Sequence, residues 1–130
     1  MKTLTAIKIF CTGAISFTAY LFGGLDVLIS CLLTMVVIDY ITGIVAAWIN
    51  KELSSHIGFV GIIKKVCIFL VVMAAQCISL ITDVEGIRDV TVSFYIANEG
   101  ISILENLGRI GVPLPKKLVD VLKQIKEGDL

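Results

Sequence analysis

The sequence predicts an all-α integral membrane protein with three to four transmembrane helices and a C-terminal amphipathic helix. Three observations carry that prediction. First, 57% of the 130 residues are hydrophobic, 17% are charged, and mean hydropathy is +0.97. A soluble domain is about 45–50% apolar and about 25% charged. Second, Val27 to Ile49 runs for 23 residues with one charge, Asp39. At about 1.5 Å per residue it reaches roughly 34 Å, enough to cross a hydrocarbon core of about 30 Å. Third, charged and glycine- or proline-bearing turns divide the rest into pieces of helical length. One domain over residues 1–130 is expected, with helices at about 4–22, 25–49, 57–82 and 88–108 and a tail at 114–127.

The first stretch places Ala14, Ser16 and Thr18 among Ile, Phe and Leu. Its apolar part beyond Lys8 is about 14 residues, short of the usual 17 to 25. It either lies in the interface or crosses with Lys8 reaching back to the headgroups. Lys2 and Lys8 ahead of an apolar run resemble a secretory signal. Tyr20, Leu21 and Phe22 crowd the position where small residues should mark cleavage, so the segment reads as mature structure. Gly23 and Gly24 break the helix, and Asp26 suits the start of the next.

The 25–49 helix ends on Trp48, an indole at headgroup level. Gly43 and Ala47 form a small-x-x-x-small pair that lets helix backbones approach closely. Asp39 and Gly43 are one turn apart and share a face. The acid therefore points into a helix contact, because a carboxylate facing lipid costs about 2.5 to 3.5 kcal/mol. Ser54 or Ser55 caps the next helix. Lys64 and Lys65 are expected at the membrane edge, ahead of the apolar run Val66 to Ile81, whose strongly polar member is Gln76.

A short acidic turn with Asp83, Glu85, Gly86 and Asp89 leads into the 88–108 helix. Asn98, Glu99 and Glu105 make it the weakest crossing. Exposed loop backbone cannot sit in lipid, whereas a helix turning its polar stripe inward can. Glu105, near the charged end, reaches the interface. Gly108, Gly111, Pro113 and Pro115 end this helix and begin another. In that tail Leu114, Leu118, Val121, Leu122 and Ile125 share one face. Lys116, Lys117, Lys123 and Lys126 lie on the other with Asp120 and Glu127. Such a helix either rests on an anionic membrane surface or packs on its own protein.

Charge placement orients the chain. With four crossings, ten of eleven basic residues fall on one side and Arg88 alone on the other. Lys and Arg mark the cytoplasmic side. Both termini are thus expected in the cytoplasm, and the C-terminus stays there if the first helix lies flat.

The four cysteines sit in apolar runs without metal or redox spacing and read as reduced thiols. His56 is the single histidine and reads as an interfacial residue. No phosphate loop, metal cluster or nucleophile–base set is present, so no catalytic, cofactor-binding or metal residue is expected, and the chain does not read as an enzyme. The basic tail lacks interleaved aromatics, which argues against nucleic acid. The polar set inside the apolar runs remains: Asp39, Gln76, Asn98 and Glu99, with Gly43 beside Asp39. Helices this few enclose no large cavity, so these faces are most easily satisfied between copies of the chain. They are the expected oligomer or pore face, and the four tail lysines the expected membrane-surface contact. The alternative is a static bundle with the polar groups paired inside it.

The run IDYITGIVAAWINKELSS, then GFVGIIKK, then FYIANEGISILENLGRIGVPLPKKL resembles the phage lysis and toxin-secretion holin family. The resemblance covers about residues 38–117. It implies a small multi-pass protein of the bacterial cytoplasmic membrane, a homo-oligomer performing no bond chemistry. Such a protein forms lesions through which an endolysin, or in some bacteria a toxin, leaves the cytoplasm without binding it directly. An ion-channel or transporter subunit, a membrane adaptor, and an antiholin regulating lysis timing are the competing readings.

Overall fold

The structure, a computed structural model, describes residues 1–128. Five helices follow in order: α1 Lys2–Leu21, α2 Val27–Ile49, α3 Ser55–Ile81, α4 Ile87–Ile110 and α5 Lys116–Glu127. Each boundary has a local cause. The Asp26 carboxylate accepts from the Ile29 N–H at 3.1 Å and caps α2. Ser54 caps α3 by accepting from the Ile57 N–H at 3.2 Å. Gly23 and Gly24 take φ of +71° and +111° in the α1–α2 turn, a region open to glycine. Gln76 lies directly against Gly23, on the side where a Cβ would stand.

α1, α2 and α3 are long and apolar enough to cross a membrane. α1 reaches that length because it is helical from Lys2, ahead of the apolar stretch counted from Lys8. α4 has 24 residues but too many polar ones to qualify. It is instead the hub of the bundle, packing on α2, α3 and α5. α1 neighbours α3 alone among the described helices and buries no residue. Its apolar side chains point outward all round, the pattern of a helix solvated by lipid.

Packing is layered along the bundle. At the α1–α2 turn, Phe22 meets Phe69 edge to face at 5.9 Å. Ile29, Leu32 and Val36 of α2 then pack with Ile68 and Val72 of α3 and Val92 of α4. Beyond this apolar half the interior becomes charged. Outer faces of α3 expose Ile62, Val66, Leu70 and Ile78, which suit hydrocarbon. α5 folds back beside α4, with Leu114 near Gly108 and Leu122 against Gly100.

Candidate functional site: a charged cluster at mid-bundle

Asp39 is twelve residues from one end of α2 and ten from the other, so it stands roughly 15 to 18 Å from each. It is 6% exposed, and Glu99 of α4 is 2% exposed. Both carboxylates receive hydrogen bonds from one ammonium. Lys65 Nζ donates to Asp39 Oδ2 and, at 2.5 Å, to Glu99 Oε2. Lys65 therefore does not mark the membrane edge as its place beside Lys64 suggests. Ten residues into α3, it shares a face with the buried Ile68, Val72 and Ala75, while Lys64 is exposed. Three helices are joined at one point by one cation and two anions.

Asn106 completes the cluster from the next turn but one of α4. Its Nδ2 lies 3.0 Å from Asp39 Oδ1, 3.2 Å from the Asp39 carbonyl and 3.1 Å from Thr42 Oγ1. Gly43 lies beside this contact, where a Cβ would stand at an ordinary van der Waals distance of 3.5 Å from Asn106 Nδ2. Gly61 on α3 gives room to the Tyr40 ring, which a Cβ there would meet at 3.3 Å. Tyr40 Oη donates to the Gly58 carbonyl at 3.4 Å.

A cavity of about 320 Å³ leads from the cluster toward the α2–α3 loop. Asp39, Lys65 and Asn106 line its inner part and Lys64, Glu52 and Arg109 its mouth. At the mouth Arg109 Nη2 donates to Glu52 Oε2 at 2.5 Å. Water can thus approach the cluster from one end, which lowers the cost of holding charge there. Every buried side-chain nitrogen and oxygen among the described residues has a hydrogen-bond partner.

The sequence-derived polar set divides in space. Asp39, Gly43 and Glu99 come together. Gln76 is half-buried near the α1–α2 turn, and Asn98, adjacent to Glu99, is half-buried outside the cluster. Glu105 is exposed. Lys116, Lys117, Lys123 and Lys126 are exposed along α5. Sequence reasoning missed Lys65 and Asn106. Two signals were present: the helical period linking Lys65 to Ile68 and Val72, and the need of two buried carboxylates for a cation.

Arg88 binds the opposite end. Nε donates to the Phe22 carbonyl at 2.8 Å and Nη2 to the Gly24 carbonyl at 3.2 Å. Nη1 and Nη2 grip Asp26 in a fork at 2.6 and 3.0 Å, and Nη1 also reaches Asp89 at 2.9 Å. All five guanidinium donors are used. The hydrogen-bonded Arg88 holds the Asp26 carboxyl down at about 2; partial burial opposes this, and the Ile29 N–H assists it. The one basic residue on this side is thereby neutralised.

These features define a small helical membrane protein that pairs its charges internally between apolar spans. Comparison with known proteins makes the class specific: a bacteriophage holin family model matches residues 16–127, and the chain belongs to that family. A probable holin of Bacillus phage phi105 is 46% identical over 109 residues, covering 83% of this chain and 80% of that protein. An uncharacterized protein of Listeria innocua is 41% identical over 132 residues, 99% of this chain and 93% of its own. One from Halalkalibacterium halodurans is 43% identical over 114 residues, with 83% and 84% covered. No solved structure matches the chain.

Proposed function

We propose that this chain is a working holin. Copies collect in the bacterial cytoplasmic membrane, oligomerise, and open lesions through which an endolysin, or in some hosts a toxin, leaves the cell interior. The observation carrying this reading is the family match over residues 16–127, on a chain with three membrane-length helices. Orientation follows from charge. With α1, α2 and α3 crossing and α4 returning, seven of the eleven basic residues (Lys2, Lys8, Lys51, Lys64, Arg109, Lys116 and Lys117) lie toward one side, and Lys123 and Lys126 run inward along α4. Lys65 is at mid-depth and Arg88 is locked on the far side. The basic side is cytoplasmic, which puts the N-terminus and the α4–α5 connection inside.

The ion cluster is a latch in this mechanism. It holds α2, α3 and α4 together while monomers accumulate. Contacts between helices in lipid are worth only about 0.6 to 2 kcal/mol each. Dilute copies therefore stay apart, and a crowded patch assembles cooperatively. In the patch Asp39, Glu99 and the Gly43 face can re-pair with a neighbour, and the half-buried amides of Gln76 and Asn98 add contacts between chains. Exported enzyme passes without a dedicated binding site.

Induced expression in a bacterium beside a cytoplasmic endolysin tests the reading, followed as culture turbidity. The expected result is an abrupt fall that needs both proteins. Growth arrest with ion leakage and no enzyme release would point to a small ion channel instead. Continued growth at verified membrane levels would point to an antiholin or an adaptor.

A further inference from the structure

The outward face of α5 carries charge at bilayer depth that makes no ion pair among the described residues. The helix runs antiparallel to α4. Leu114 meets Gly108, Leu122 fills the space where a Cβ at Gly100 would stand, at 3.0 Å, and the last turn of α5 shares a cavity of about 480 Å³ with the first turns of α4. Met35 of α2 reaches the same point at Gly100, one turn from Asp39. The middle of α5 is therefore level with the middle of α2, a helix of membrane-spanning length. Val119, Leu122 and Ile125 are half-buried, whereas Asp120, Lys123 and Glu127 are exposed.

That placement is incompatible with lipid on the outer face of α5. A lysine at the bilayer centre costs about 2.5 to 3.5 kcal/mol, and an aspartate a similar amount. Snorkelling relieves Lys116 and Lys117 near the loop end, but not Asp120 and Lys123 further in. Nor are internal partners on offer, because Asp39 and Glu99 are already taken by Lys65. α1 and the outer face of α3, on which α5 does not pack, are apolar and exposed. The molecule is two-sided at one depth.

We propose that the outward face of α5 lines a water-filled lumen between copies of this chain, while α1 and α3 face lipid. The proposal rests on the holin reading and identifies which surface the lesion presents to water. α5 carries four lysines against two acids, so the lumen is net positive and favours small anions when narrow. In the competing arrangement α5 leaves α4 for the cytoplasmic membrane surface.

Two measurements on the full chain decide between them. In the first, Gly100→Cys and Leu122→Cys are introduced with Cys11, Cys31, Cys67 and Cys77 replaced by alanine, and the pair is joined by a short bis-methanethiosulfonate. Lysis beside an endolysin should persist with the helices joined. If the reduced chain lyses and the joined chain does not, α5 must leave α4, and the proposal falls while the holin reading stands. If the unaltered chain fails to lyse, the holin reading falls, and the proposal with it. The second measurement stands if the cysteine-altered chain folds poorly: Lys123→Glu, with every native cysteine kept, in planar bilayers. The anion-to-cation permeability ratio should drop by about twofold or more, with Leu70→Ala unchanged. An unaltered ratio at low salt, in lesions too narrow to pass an enzyme, would overturn the assignment.

Discussion

At the scale of single residues, charge arithmetic governs the cluster. Asp39, Lys65 and Glu99 together carry one more negative charge than positive. Lys65→Met leaves two buried carboxylates with no cation, the situation that costs about 3 to 5 kcal/mol when a buried pair is broken. Asp39→Asn leaves a neutral Lys65–Glu99 pair and an amide able to bond Asn106, so its cost should be nearer about 1 to 2 kcal/mol. Denaturant midpoints in micelles would check the order; equal losses would show that net charge does not govern this site. The position of Asp39 on an inward face was legible in the sequence, because lipid forbids the other orientation. Its partner was not. Lys64 and Lys65 are adjacent, and adjacency suggests a shared role. On a helix they are turned about 100° apart, and only one can face the core.

At the scale of elements, the α1–α2 turn is fastened to α4 by Arg88. Asp26 titrates at about 2 rather than 3.8. A depressed carboxyl contributes stability that is complete above its ordinary value and disappears as pH falls through the folded value. The fastening should thus persist from neutral pH to about 4 and loosen between about 4 and 2. The carboxyl carbon resonance of Asp26 should show an inflection near 2 that rises toward 3.8 in Arg88→Gln. No movement in that variant would mean the guanidinium is not the cause. Helix lengths and caps were largely readable: Ser54 and Asp26 carry cap signals, and the helix starts follow them. The role of α4 was not readable. Its polar residues marked a weak crossing, whereas in the fold it is the surface on which α2, α3 and α5 pack.

Over the whole molecule, charge asymmetry sets orientation. Asp83 and Glu85 share the short α3–α4 turn, and seven basic residues lie toward the other end of the bundle. A fluorescent reporter that matures only in the cytoplasm should be bright when fused ahead of Met1. Asp83→Lys with Glu85→Lys should dim it, because lysine in a short loop resists translocation. A dark fusion of the unaltered chain would invert the topology. The same asymmetry leaves α1 and α3 suited to lipid and α5 suited to water, so one chain presents both solvents with a surface.

The sequence by itself determined the membrane class, the helical elements and the burial of Asp39. Each follows from local rules: hydrocarbon demands long apolar helices, glycine and proline end them, and an ion in lipid must face inward. Tertiary structure alone decided that Lys65, 26 residues after Asp39 and 34 before Glu99, serves both acids, and that α5 lies along α4 rather than apart from it. Those facts depend on the rotation and depth of one helix relative to another. Several packings satisfy hydropathy equally well. The choice among them is made by side chains meeting across helices, such as Leu122 at Gly100 and Asn106 at Gly43.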